Sequence, residues 1–367
     1  MPDFASALYL GMRHPSAQLG SWDALTLGRP AALAEPPGAG RLAAGLADLC
    51  GCEAASLLPS TLHLYHDLFG LLTERPAQIL VDAGSYPIAR WGAERSAATG
   101  PPLLTFAHAD AGAARVLVRR ARANGHCPVI LADGYYPGAG QAPPLAAYAR
   151  LAWEAGGYLV IDDTQALGLL GAGPTRLSPY GVGGGGSLRL HGLRGPHLVL
   201  GSSLAKAFGA PLAALCGSAA VVRRFEALSR GRVHTSPPSV AAIRAGLNAL
   251  DQNREHGAQL RWRLARRLAQ WRGGAARAGI GLLGGQFPVQ TLALGAAIDG
   301  EALHACLGQA GIDTVLQWTG RQATVSFIIT ALHTAREIEH TLAVLAACLK
   351  GQARQPRLTR REHGIRI

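Results

Sequence analysis

Gly201-Ser-Ser-Leu-Ala-Lys-Ala-Phe-Gly209 follows a short apolar run at 197–200 and sets one lysine among small residues. The chain has 367 residues and 35 Lys plus Arg, yet its only lysines are Lys206 and Lys350. Arginine serves wherever else a cation is wanted. A lysine amine can form an imine with an aldehyde; a guanidinium, always protonated and delocalised, cannot. Lys206 is therefore a candidate covalent anchor, set against the alternative that its retention is chance.

Other apolar runs end just as abruptly in small polar residues. Ala54–Leu58 precedes Pro-Ser-Thr, 79–81 precedes Asp-Ala-Gly-Ser, 129–131 precedes Ala-Asp-Gly and 158–161 precedes Asp-Asp-Thr. Continuous apolar strands alternating with helix-length segments such as 145–155 predict a mostly parallel α/β sheet covered on both faces. Ligands in such sheets sit beyond the carboxyl ends of the strands, where this chain places hydroxyls, carboxylates and Lys206. From about Pro237 the pattern changes to amphipathic helices at 239–251 and 261–278, then segments at 288–294, 301–310 and 324–329, which reads as a smaller C-terminal α+β domain. A last helix over 334–349 opens with a Thr334-x-x-Glu337 capping box. The expected division is an N-terminal arm at 1–30, a large domain at 31–236, a small domain at 237–350 and a basic tail at 351–367.

A hydrophobic content of 49% with 16% charged residues permits a large core. No apolar run approaches the roughly 20 residues of a spanning helix, and the first 20 residues lack signal-peptide order, so a cytoplasmic protein without a membrane partner is expected. The six cysteines, Cys50, Cys52, Cys127, Cys216, Cys306 and Cys348, read as buried free thiols rather than a metal site. The net charge of +12 is spread along the chain, apart from an amphipathic helix at 261–277 and the tail, and no nucleic-acid motif accompanies it. The glycine run at 181–186 neither follows a strand nor opens a helix, so it reads as a flexible loop rather than a phosphate-binding fingerprint.

An imine-forming lysine at one strand end and an acid, Asp162, at another are what pyridoxal phosphate requires: an anchor for its aldehyde and a carboxylate that keeps its ring nitrogen protonated. Either of Asp162 and Asp163 could instead cap a helix. Four stretches resemble the α-oxoamine synthase family of fold-type-I pyridoxal-phosphate enzymes, within the aminotransferase class I/II superfamily. They are Tyr9-Leu-Gly-Met-Arg-His-Pro15, the run Asp133-Gly-Tyr-Tyr-Pro-Gly-Ala-Gly-Gln-Ala-Pro-Pro-Leu145, Asp162-Asp-Thr-Gln-Ala-Leu-Gly-Leu-Leu-Gly171 and Ser203-Leu-Ala-Lys-Ala-Phe-Gly209. The resemblance implies a phosphate site at Ser60, Thr61, the amide of Leu62 and Ser203. It also implies a homodimer with shared active sites, in which Thr235 and Ser236 reach the neighbouring subunit's phosphate.

The chain departs from that family at several positions. Tyr86 stands where the family stacks a histidine on the cofactor ring, and Gln165 replaces the histidine that faces the phenolic oxygen. Pro137 replaces a serine, and Thr324 falls where an arginine grips the substrate carboxylate. Arg321 is the nearest substitute, or else an exposed turn residue. The resemblance implies a transferase acting on an amine or amino acid through a Lys206 Schiff base, with condensation onto an acyl thioester. An aminotransferase and a non-catalytic cofactor-binding partner protein remain the alternatives.

Overall fold

The computed structural model describes residues 2–138, 143–295, 298–319 and 322–353. It comprises a larger unit, 7–266 with 330–332, and a smaller unit made of the remaining described residues.

The larger unit is built on a seven-stranded sheet of β1 (Ala54–Leu58), β2 (Ala77–Asp82), β3 (Leu103–Phe106), β4 (Cys127–Asp133), β5 (Tyr158–Asp162), β6 (Leu198–Ser203) and β7 (Ala213–Gly217). The strand order is β1-β7-β6-β5-β4-β2-β3. Only β7 runs antiparallel to its neighbours, so the carboxyl ends of β2, β4, β5 and β6 share one edge. The helices are α1 (Ala39–Cys50), α2 (Thr61–Leu72), α3 (Pro87–Ala97), α4 (Ala111–Ala123), α5 (Leu145–Glu154), α6 (Gly186–His191), α7 (Ala219–Leu228), α8 (Arg230–His234) and α9 (Val240–Arg277). Leu64, Phe69, Ile79, Val81, Leu131, Val160, Val199 and Phe225 form one buried cluster between sheet and helices, each side chain worth about 1.5–3 kcal/mol of burial.

The five anticipated strands correspond to β1, β2, β4, β5 and β6. Two strands were not legible. β3 is a short edge strand after Pro101-Pro102, and β7, Ala-Ala-Leu-Cys-Gly, lacks β-branched residues.

The two helices anticipated at 239–251 and 261–278 are one helix, α9, whose residues up to Arg266 belong to the larger unit. The polar stretch between them is helical and serves as a docking point. The Arg261 guanidinium donates to the Gly168 carbonyl at 2.9 Å and to Asn253 Oδ1 at 2.8 Å, while Asn253 Nδ2 donates to the Gly183 carbonyl at 2.9 Å. A Cβ at position 257 would lie 2.6 Å from Asn253 Oδ1, so glycine leaves room for this network.

The glycine run at 181–186 is likewise fixed rather than flexible. Backbone bonds join Gly168 N to Gly184 O, Gly171 N to Tyr180 O and Gly186 N to Leu170 O at 2.7–2.8 Å. Gly186 has φ +80° and seals Asp163, whose Oδ2 would sit 1.9 Å from an added Cβ. Burial pushes the Asp163 carboxyl up to about 7, against the opposing hydrogen bonds from Ser187. Gly186→Ala is expected to destabilise the fold by at least about 3 kcal/mol, of which roughly 1–2 kcal/mol is left-handed backbone strain. A urea unfolding midpoint unchanged from the parent would refute this packing account.

The smaller unit holds an antiparallel sheet of β8 (Leu282–Leu283), β9 (Val289–Leu292), β10 (Val315–Thr319) and β11 (Gln322–Ile328), in the order β10-β11-β9-β8, with α10 (Gly300–Gln309) and α11 (Ala335–Ala353). Trp271 and Phe327 pack at 4.6 Å in its core. The capping box forms as anticipated: Thr334 N donates to Glu337 Oε2 at 2.7 Å, and Glu337 N to Thr334 Oγ1 at 3.2 Å. One reading needs correcting. Cys306 on α10 and Cys348 on α11 form a disulfide, since the two packed helices bring residues 42 apart in sequence together, and only Cys50, Cys52, Cys127 and Cys216 are free. Among the described residues, no helix is long and apolar enough to cross a membrane.

Candidate active site

Asp162 ends β5 and Gly201 lies beside it in register on β6, so the carboxylate and the Lys206 turn emerge at the same sheet edge. Asp162 is 4% exposed. Its Oδ1 accepts from Thr164 N at 3.1 Å, the short local turn that an Asp two residues before a Thr allows. Thr164 Oγ1 in turn accepts from Ser203 N at 3.0 Å, which ties the end of β5 to the end of β6. Burial raises the Asp162 carboxyl from its usual range, while Thr164, Lys206 and Tyr65 act in the opposite direction.

Lys206 follows β6 in a mostly buried turn. Burial lowers its ammonium from the ordinary lysine value, and Asp162 and Asp133 partly restore it. Its Nζ stands 5.9 Å from the centroid of the Tyr86 ring. Tyr86 is the residue before α3, is 52% exposed, and donates its amide to Asp133 Oδ1 at 3.0 Å. The Tyr86 turn is anchored from below by Asp82, which accepts from Gly84 N at 2.8 Å, His108 Nδ1 at 2.6 Å, Ala109 N at 3.0 Å and Tyr148 Oη at 3.0 Å.

Ser60 is the residue before α2, but its hydroxyl pairs with His63 Nδ1 at 2.8 Å instead of capping the helix. The amides of Thr61, Leu62 and His63 precede Leu64 N, the first amide to donate within the helix, and so could receive an anion. One turn on, Tyr65 Oη reaches the Gly201 carbonyl at 3.3 Å, which sets α2 against the strand that leads to Lys206. Ser203 Oγ accepts from Ala205 N at 3.3 Å. Gln165 Oε1 accepts from Tyr9 Oη at 2.6 Å, which leaves the Gln165 NH2 as the donor end of that amide.

The structure thus brings Asp162, Lys206, Tyr86 and Ser203 to one sheet edge, with Gln165 three residues beyond Asp162 and the 60–62 segment at the start of a helix packed on β6. Thr235 follows α8 and donates its hydroxyl to the Gly231 carbonyl at 2.8 Å; Ser236 beside it is exposed. Thr324 sits on β11 and bonds the Gln317 carbonyl at 3.2 Å. Pro137 lies in a turn beyond β4. Arg321 lies outside the described residues.

Sequence reading overlooked Thr164, Tyr65, Tyr9 and Asp82 as structural partners of the site. Only Thr164 had a local signal, the Asp-x-Thr turn pattern. Tyr65 and Tyr9 act across 136 and 156 residues, and Asp82 reaches Tyr148 across 66, beyond any short-range pattern. The donor set suits an aromatic aldehyde with a phosphate arm: an imine-forming amine with depressed basicity, a buried carboxylate for a ring nitrogen, an exposed aromatic face and a helix N-terminus whose leading serine does not cap it.

Residues 35–345 match the model of the aminotransferase class I and II family. The chain is 30% identical to the 8-amino-7-oxononanoate synthase of Methylococcus capsulatus over 263 residues, 70% of this chain and 64% of that protein. It spans less than two thirds of the length of the first curated relatives it matches. Among solved structures it resembles a serine palmitoyltransferase from Sphingomonas wittichii, with TM-score 0.81, 16% identity and coverage of 96% of this chain and 88% of that one. It also resembles an 8-amino-7-oxononanoate synthase from Francisella tularensis, with TM-score 0.71, 17% identity and coverage of 96% and 99%. The fold is that of the fold-type-I group, as the motifs implied. The chain belongs to the aminotransferase class I and II family, whose cofactor is pyridoxal phosphate.

Proposed function

We propose that this chain is a pyridoxal-phosphate-dependent acyltransferase that joins an amino acid to an acyl thioester with release of the thiol. The observation that carries this reading is the placement of Lys206 Nζ beside the Tyr86 ring, at the sheet edge where Asp162 emerges. The names of the relatives, 8-amino-7-oxononanoate synthases, favour condensation over amino-group transfer.

When bound, pyridoxal phosphate supplies an electron sink conjugated with the substrate's α-carbon. Asp162 holds the ring nitrogen's positive charge in a buried pocket. Tyr86 covers one ring face, though a phenol is a weak acid near neutrality and gives less proton-transfer help there than an imidazole. The Gln165 NH2 donates to the phenolic oxygen, its orientation set by Tyr9. Ser60, Thr61, the Leu62 amide and Ser203 hold the phosphate. Lys206, with its basicity depressed by burial, takes the proton from the α-carbon. The protein works as a homodimer in which Thr235 and Ser236 of one protomer reach the phosphate site of its partner.

The test is to supply the holoenzyme with a panel of amino acids and acyl-CoA thioesters and follow free thiol. Release that requires both substrates supports the reading. Amino transfer to a keto acid without thiol release would assign an aminotransferase instead, and no turnover with any pair would point to a binding protein.

A further inference from the structure

Asp133 is a buried carboxylate, 8% exposed, that no role assigned above uses. It ends β4 and is the register partner of Asp162 on β5. Register partners on adjacent parallel strands point to the same face, so two carboxylates open side by side at the sheet edge from which the Lys206 turn emerges. Asp133 Oδ1 also accepts the amide of Tyr86 at 3.0 Å, and the ring of that tyrosine stands 5.9 Å from Lys206 Nζ. One carboxylate therefore fixes the aromatic wall of the lysine's slot and faces the lysine itself.

We propose that Asp133 is a positioning residue for Lys206: it holds the Tyr86 wall through the backbone and supplies the carboxylate that faces the free ammonium while Asp162 is engaged by the cofactor's ring nitrogen. This rests on the reading of Lys206 as the cofactor lysine. A released lysine is a cation in a desolvated slot, and it needs a counter-charge to stay in place and accept a proton. Asp162 cannot serve both the ring nitrogen and the lysine.

The charged and titratable groups around this point are few. Asp162 faces Asp133 from β5 and Asp82 from β2; Tyr65 faces it from α2, Tyr86 from the start of α3 and Lys206 from the turn after β6. Burial and Asp162 drive the Asp133 carboxyl upward, while the Tyr86 amide and Lys206 oppose them. Among the described residues, Asp162 and Asp133 are the groups that act against the desolvation of Lys206.

Asp133→Asn separates the electrostatic part from the structural part, because an asparagine Oδ1 still accepts the Tyr86 amide. The chain has two lysines, so amine acylation can be followed residue by residue, with Lys350 as internal control. Cofactor-free protein is acylated with acetic anhydride from pH 7 to 11, and the Lys206 and Lys350 peptides are quantified by mass spectrometry. Removing a carboxylate disfavours the ammonium, so the midpoint for Lys206 is expected to fall by about one pH unit, with Lys350 unmoved. Asp133→Leu removes both functions and is expected to add a loss of the tyrosine wall, read as a weakened response of the cofactor's visible band. A Lys206 midpoint identical in parent and Asp133→Asn overturns the proposal, even if activity falls. Borohydride fixation of the cofactor to Lys206 in the same variant tests the underlying reading separately.

Discussion

Lys206→Ala is expected to lose the covalent link to pyridoxal phosphate and at least about a thousandfold in turnover, because one side chain serves as anchor and general base. The fold should survive. Among the described residues the Lys206 side chain makes no hydrogen bond, and the bond from Gly209 N to its carbonyl, 3.2 Å, is untouched by the change. Removing the amine takes away a desolvated cation but also the counter-charge that Asp162 and Asp133 face, so the two effects on stability oppose each other. The measurements are thermal unfolding, the visible absorbance of the reconstituted protein and thiol release. A variant that keeps the parent's reducible chromophore and its turnover would remove the lysine from the mechanism.

Asp162→Asn is expected to act in opposite directions on the empty and loaded protein. The Asp162 carboxylate is buried, and burial is the largest influence on it. An asparagine of nearly the same shape still accepts the Thr164 amide through Oδ1, so the turn at the end of β5 is kept. Without the cofactor, the neutral side chain relieves a desolvated charge, and the melting temperature should hold or rise. With it, the loss of a charge-assisted hydrogen bond to the ring nitrogen costs roughly 1.5–3 kcal/mol, about ten- to a hundredfold in cofactor Kd. Turnover should fall by about a hundredfold or more, since an unprotonated ring is a poor electron sink. Equal cofactor affinity in parent and variant would dissociate Asp162 from the ring nitrogen.

Much of the larger unit is legible because buried parallel strands advertise themselves as apolar runs ending in polar residues, as at β4 and β5. The same logic places Asp162 and Lys206 at one edge before any coordinates are considered. Strands without that signature, such as the alanine-rich β7 and the short edge β3, pass unseen. The polar stretch between 251 and 261 misleads because it serves the contacts of Asn253 and Arg261 with the Gly183 and Gly168 carbonyls, not a local break. The glycine run misleads similarly: Gly186, at positive φ, closes over buried Asp163, a partner about 20 residues away. The support of the site by Asp82, Asp133 and Tyr9 depends on strand order, and strand order is not a local property. The disulfide between Cys306 and Cys348 depends in the same way on the packing of α10 against α11.

The most direct test of the central claim uses the rarity of lysine in this chain. The protein is loaded with pyridoxal phosphate, reduced with borohydride, digested and mapped by mass spectrometry. The account predicts one stable adduct, on the peptide that contains Lys206, in close to one equivalent per chain. An adduct found on Lys350 instead, or no adduct on Lys206 after full loading, would contradict it.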